Sequence, residues 1–245
     1  MEDGFFLITG TSRGIGEALA LEVLRRGNTV LGVSRKRSEQ LKSPQYHHLA
    51  LDLAETSRIG QILDRVHEIA ENRNFDLVCL VSNASAIEPL KPIEDCPAVQ
   101  IESHVRVGLI APMILTSLFI REFSGARIRK KVAFLSSGLG VTPFPGLSIY
   151  CASKAALNMF ARCVGLEQKD GQHGFEVICI GPGMVDTPMQ EVARSKIRDE
   201  FPGADFFQQA FREGRLQKSG DVAAKIYAIL RNQYEQGRLV MVGEV

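Results

Sequence analysis

Net charge is nearly absent from this sequence: 29 lysines and arginines stand against 28 aspartates and glutamates in 245 residues. A balance of +1 gives no broad electrostatic footprint for nucleic acid or an anionic membrane surface. The one basic run, Arg127, Arg129, Lys130 and Lys131, reads as a solvated turn before a strand. Cysteine is scarce: Cys79, Cys96, Cys151, Cys163 and Cys179 are scattered, odd in number and free of any Cys-x-x-Cys pair. That excludes a disulfide framework and suits reduced thiols in a cytoplasmic protein. The five histidines lack ligand-like spacing, so no metal site is expected. Long apolar runs are missing too. The longest, Val107 to Ile120, has 14 residues and contains Pro112, short of the roughly 20 a membrane span needs, and it fits a buried helix. The acidic Met-Glu-Asp-Gly start lacks the form of a leader peptide. Linkers, repeats and low-complexity tracts are absent, which leaves one domain over residues 1–245 as the simplest reading.

What is present is alternation. Short apolar runs (Phe5–Ile8, Thr29–Val33, His47–Leu51, Asp76–Val81, Lys131–Ser136, Phe175–Ile180, Arg238–Val242) read as strands. Between them, Ile15–Arg26, Ile59–Glu71, Ala98–Phe123, Ser148–Gln168 and Asp221–Arg231 read as helices, with Gly27 stopping the first and Ser148 as the N-cap of the fourth. Continuous apolar strands alternating with helices imply an α/β fold: one Rossmann-type, doubly wound parallel sheet of about seven strands with helices on both faces. Ligands of such sheets bind outside the carboxyl ends of the strands.

The candidate residues fall at those ends. After the first strand comes Gly10-Thr11-Ser12-Arg13-Gly14-Ile15-Gly16, where glycines let backbone approach a pyrophosphate and a helix N-terminus offers free N–H groups. After the second strand stands Ser34-Arg35-Lys36-Arg37, with no acid to bond both ribose hydroxyls. The forked guanidinium of Arg35, faced by Arg13, suits a 2′-phosphate, which favours NADP(H) over NAD(H). Asp52 and Leu53 follow the third strand, where Asp52 can bond an adenine amino group; Asn83 and Ala84 follow the fourth and can line the ribose.

Tyr150 and Lys154 are four residues apart on a helix and share a face. A phenol of ordinary pKa about 10 becomes a usable acid or base beside an ammonium that stabilises its phenolate. Ser137, at a strand end, can hold a carbonyl oxygen by its hydroxyl. Pro143-Phe144-Pro145 forms a stiff apolar loop between them. The segment 187–214, with Met189, Phe201, Phe206, Phe207 and Phe211, is expected to cover the site, and Phe144 and Met189 to touch substrate.

Taken together, Thr9–Gly16, Asp52-Leu53, Ser82–Ser85, Leu135–Ser137, Tyr150–Lys154 and Gly181–Met189 resemble the short-chain dehydrogenase/reductase family over essentially the whole length. Within it, Leu109–Thr116, the helix from Tyr150 and Pro182–Gln190 look most like the sepiapterin reductase and benzil reductase branch. The resemblance implies NADPH-dependent carbonyl reduction, with Ser137 polarising the carbonyl, Tyr150 as acid/base and Lys154 on the nicotinamide ribose. It also implies that Pro182, Gly183, Val185 and Thr187 line the nicotinamide, and that the chain pairs as a homodimer or homotetramer through its two long helices. Two departures stand out: Gly108 occupies the position of the family's usual Asn, which is credited with holding a relay water, and Ser85 replaces a glycine. His104, one turn before Gly108, is the side chain that could help in its place. The alternatives are an NAD(P)-binding sensor with weak catalysis, an NAD-dependent alcohol dehydrogenase, and a pterin ketone reductase. The last lacks a C-terminal Asp and has only Glu244.

Overall fold

A computed structural model describes residues 3–71, 73–169 and 174–244; the N-terminal Met1 and Glu2 lie outside them. Its strands are β1 (Gly4–Thr9), β2 (Thr29–Ser34), β3 (Tyr46–Ala50), β4 (Leu77–Ser82), β5 (Arg129–Leu135), β6 (Glu176–Gly181), the short pair β7 (Val185–Asp186) and β8 (Gln217–Lys218), and β9 (Leu239–Met241). Its helices are α1 (Gly14–Arg25), α2 (Gly60–Ala70), α3 (Ala98–Val105), α4 (Ala111–Glu122), α5 (Ser148–Gln168), α6 (Pro188–Arg194), α7 (Ala204–Arg212) and α8 (Ser219–Arg231). The main sheet has seven parallel strands in the order β3-β2-β1-β4-β5-β6-β9, so the direction of winding reverses between β1 and β4.

Both faces of that sheet are covered, which is why the strand sequences are apolar throughout rather than alternating. Phe5 and Leu7 of β1 pack with Leu115 and Phe119 of α4 and Leu157 and Ala161 of α5. Phe6 and Ile8 point the other way, into a core with Leu19 and Val23 of α1 and Ile226 and Ile229 of α8. A third, smaller cluster holds the cover segment to the sheet end through Leu147, Tyr150, Phe201, Ala204 and Phe207.

Four sequence expectations change. The basic run is not a solvated turn: Lys130 and Lys131 lie in β5 and are 4 % and 1 % exposed. Lys131 Nζ sits 3.0 Å from Glu176 on β6 and bonds the Asn232 and Ile229 carbonyls, while Lys130 bonds Phe123 and Ala126 carbonyls. Burial is tolerated because each ammonium has carbonyl partners. The expected helix 98–123 is broken by a π-helical turn, Arg106–Ile110, between α3 and α4. Together the stretch Ala98–Glu122 is long and apolar enough, by length and composition, to cross a membrane, more than the 14-residue run suggested; in the fold Ala111, Leu115 and Phe119 pack against the sheet core. Finally, α5 starts at Ser148, but the N-cap is Leu147 and Ser148 makes no cap bond. Gly146, at φ 77°, and the fully buried Leu147 fix that turn instead.

Candidate active site

A cavity of about 300 Å³ opens at the carboxyl ends of β1, β2 and β4, where the winding reverses. Its wall brings together Gly10, Ser12, Arg13, Gly14 and Ile15 from the turn, Arg35 after β2, Asp52 and Leu53 after β3, Asn83 and Ala84 after β4, and Thr187 and Met189. The turn depends on its glycines. Gly10 and Gly14 have φ of 77° and 64°, which side-chain-bearing residues rarely adopt. A Cβ on Gly16 would collide with the Gly10 carbonyl and the Asn83 amide, so Gly16 serves the close approach of α1 to the strand ends rather than the cavity wall. The N-cap of α1, Arg13, has extended backbone and makes no side-chain cap bond, so the first-turn N–H groups are left for an anion.

Other side chains hold this cradle in shape. Thr9 Oγ1 accepts from the Asn83 and Ala84 N–H groups, both at 3.0 Å, and Asn83 Nδ2 donates to the Thr9 carbonyl at 2.8 Å. Asn83 thus ties β1 to β4 as well as lining the cavity. Asp52 accepts the Ala54 N–H at 2.9 Å and lies 4.0 Å from Arg35. Thr187 caps α6 by accepting from Gln190 N–H, and its methyl sits against Gly14. Pro182, Gly183 and Val185 form the turn behind the wall: Gly183 has φ 77° and Val185 is buried in β7, paired with Gln217. Ser85, Ala86, Ser103, Val107 and Pro188 also line the cavity. The sequence marks Ser85 only as a departure from the family pattern, and the others were missed because Ser103, Val107 and Pro188 sit on helical turns that reach the wall only in the folded chain. Thr9 and the β7–β8 pair were invisible for a similar reason, since each acts only through a partner distant in sequence.

Ser137, Tyr150 and Lys154 converge on one another, but none of them lines this cavity; Met189, which does, also packs in the apolar cluster that holds Tyr150. Tyr150 is nearly buried; burial pushes its phenol above the usual value, and a hydrogen bond with the Ser137 side chain opposes that. Ser137 Oγ also accepts the Leu139 N–H at 3.1 Å, which fixes its rotamer. Lys154, 4 % exposed, donates to the Leu135 carbonyl at 2.7 Å and lies 5.5 Å from the Tyr150 ring centroid. Burial lowers its pKa to about 8, with Cys179 opposing. Sequence reasoning expected the ammonium to lower the pKa of Tyr150. Burial of the ring outweighs the opposing Ser137 bond, so the phenol stands raised. Asn158, one turn beyond Lys154, accepts from Ser136 Oγ at 2.6 Å and was not foreseen; it joins β5 to α5 across the trio.

Apolar residues pack in one cluster with Tyr150. Phe144 packs against Phe201, Phe206 and Phe207 with centroids 5.4 to 6.3 Å apart. Phe201 and Phe207 are buried and anchor the cover, whereas Phe206 and Phe211 are exposed. Arg194 lies over the Phe211 ring at 4.1 Å. The expected aromatics therefore divide: two pack the cover and two remain at its surface. The five cysteines are free, and among the described residues no cluster of His, Cys, Asp or Glu is arranged to hold a metal.

Residues 5–198 match the family model for short chain dehydrogenase. The chain belongs to the short-chain dehydrogenase/reductase family. It is 32 % identical to benzil reductase ((S)-benzoin forming) of Bacillus cereus, over 98 % of this chain and 99 % of that protein. It is 28 % identical to sepiapterin reductase of Rattus norvegicus, over 94 % and 93 % of the two chains. The crystal structure of the KRED1-Pglu enzyme superposes with a TM-score of 0.84 at 24 % identity, covering 97 % of this chain and all of that one, which shows the shared fold. Membership makes this an oxidoreductase of the class that acts on C=O or CH–OH groups with a nicotinamide cofactor. The glycine turn, with left-handed backbone at Gly10 and Gly14 on the cavity wall and the first-turn N–H groups of α1 beside it, fits a dinucleotide pyrophosphate.

Proposed function

We propose that this protein is a cytoplasmic, NADPH-dependent carbonyl reductase for apolar, aromatic ketones or vicinal diketones of the benzil type. The observation that carries the reading is the Ser137–Tyr150 hydroxyl pair, with Tyr150 packed in the same apolar cluster as Phe144 and Met189. Arg13 and Arg35 would hold a 2′-phosphate, the Gly10–Gly16 turn the pyrophosphate, and Thr187 with the Pro182–Val185 turn the nicotinamide side. When bound, the cofactor supplies hydride. Ser137 orients the carbonyl oxygen, Tyr150 gives that oxygen a proton, and the Lys154 ammonium stabilises the charge left behind. Phe144 and Met189 exclude water and favour ring-bearing substrates.

NADPH oxidation across a carbonyl panel is the test. Expected are a higher kcat/KM for phenyl-substituted diketones than for sugars or hydroxy acids, and loss of turnover by at least about 100-fold in Tyr150→Phe. Arg35→Ala should weaken NADP far more than NAD; unchanged NADP affinity would refute the cofactor assignment. The relatives named sepiapterin reductase motivate a pterin reading, but Glu244 lies 3.6 Å from Arg238 and is engaged there. Tight NADPH binding without turnover on any carbonyl would instead point to a sensor.

A further inference from the structure

Beside Arg35, at the end of β2, runs a chain of hydrogen bonds that the chemistry above does not use. Thr11 of the glycine turn, Ser34 of β2 and Tyr46 of β3 are buried, and His48 of β3 is half-buried. Thr11 Oγ1 lies 3.0 Å from the Tyr46 hydroxyl and 3.4 Å from Ser34 Oγ. Ser34, which lines the cavity, donates from Oγ to the Lys36 carbonyl at 2.9 Å. The same Oγ is 3.1 Å from Nε2 of His48. Gly32 makes room for the chain, since a Cβ there would collide with the Tyr46 and Thr11 hydroxyls.

Counting hydrogens gives each bond a direction. A serine hydroxyl has one hydrogen to give, and Ser34 gives it to a carbonyl that only accepts. Nε2 of His48 therefore carries a hydrogen and donates to Ser34 Oγ. Thr11 donates across the longer contact to Ser34 and accepts from the Tyr46 phenol. Burial, and after it the charge of Arg37, hold the His48 pKa below its ordinary value, with a bond at the Ser34 backbone opposing, so the ring is neutral near pH 7.

What the chain fixes is a turn. Ser34 and Lys36 flank Arg35, and the bond from Ser34 Oγ to the Lys36 carbonyl closes the backbone around it. The Arg35 side chain is 75 % exposed, and Asp52 stands at 4.0 Å, the limit of an ion pair. Its direction is thus set by the backbone that carries it. An arginine whose backbone is already ordered loses less freedom when a phosphate enters its fork.

We propose that His48 is a positioning residue for cofactor choice: its Nε2–H, acting through the Ser34 hydroxyl, sets the turn that presents Arg35 to a 2′-phosphate. The proposal rests on the NADP reading of the cavity. His48 touches neither cofactor nor substrate and moves no proton. Without its donor, the Ser34 hydroxyl is free to rotate off the Lys36 carbonyl, and the turn loosens. That penalises a dinucleotide bearing a 2′-phosphate and spares one without it.

Calorimetric binding of NADP and of NAD to the full-length, cofactor-free protein tests this. His48→Leu, which has no donor, should weaken NADP about tenfold, the effect of one positioning hydrogen bond, and NAD by less than about twofold. His48→Gln, whose amide N–H can stand where Nε2–H does, should keep most of the NADP affinity. In a Ser34→Ala background, His48→Leu should weaken NADP no further. Nitrogen NMR should show a neutral His48 with its hydrogen on Nε2, an outcome that needs no variant to fold. An unchanged ratio of NADP to NAD affinity in His48→Leu, a loss as large in His48→Gln, a further loss in the Ser34→Ala background, or a bare Nε2 would each overturn the proposal. Wild-type protein that binds NAD as tightly as NADP would remove the cofactor reading and the proposal together. Wild-type preference for NADP that survives in His48→Leu would remove the proposal alone.

Discussion

Lys154 carries the most strongly perturbed charge in the candidate site. A folded pKa near 8 against an ordinary 10.5 means the ammonium is destabilising at neutral pH and its cost is relieved as it deprotonates. Between about pH 8 and 10.5 the unfolded chain binds more protons at this group than the folded one, so folding gains stability as pH rises through that window. Lys154→Met removes this dependence. Its midpoint relative to wild type should be highest near pH 7 and decline toward pH 10; a difference constant with pH would contradict the assignment. The same variant should lose carbonyl reduction, and wild-type turnover should fall as pH rises above about 8, where the ammonium is lost.

Strand β5 shows how an element can disguise itself in sequence. Arg129, Lys130 and Lys131 look like a surface turn, yet the register with β4 and β6 places Lys131 opposite Glu176 at the sheet's interior. The pairing matters more than the charges. Removing Glu176 leaves the buried Lys131 ammonium with carbonyl partners but no counter-charge, so Glu176→Ala should cost about 3 kcal/mol in urea unfolding. The double change Lys131→Met with Glu176→Leu should cost much less, because it buries no charge. Equal costs for the two would show that the pair is not coupled. The π-helical turn between α3 and α4 is a second such element: nothing in the apolar periodicity of 98–123 announces it, and it sets Gly108 against His104 and Ser153. Such insertions mark functional sites more often than chance.

At the scale of the whole molecule, the outer surface of the α4–α5 region carries Ile110, Met159 and Leu166 at 38 %, 56 % and 67 % exposure. Met159 and Leu166, two turns apart on α5, suit a partner rather than water. Light scattering at micromolar concentration should give a dimer or tetramer, and Met159→Asp should shift it toward monomer; a wild-type monomer would refute the pairing. The same helices supply Tyr150 and Lys154 from their inner side, so weakened association should also lower thermal stability of the site.

The sequence by itself determined the architecture and most of the cofactor cradle. Continuous apolar strands alternating with helices admit few packings other than a doubly covered parallel sheet, and its reversal point creates the crevice wherever the glycines fall. Gly10 and Gly14 were legible for the same reason, since left-handed backbone selects glycine locally. Tertiary structure alone decided the rest. Whether Lys131 meets water or Glu176, and which carbonyl holds the Lys154 ammonium near Tyr150, depend on groups distant in the chain. Burial and partner geometry set those energies, and neither is encoded in local spacing.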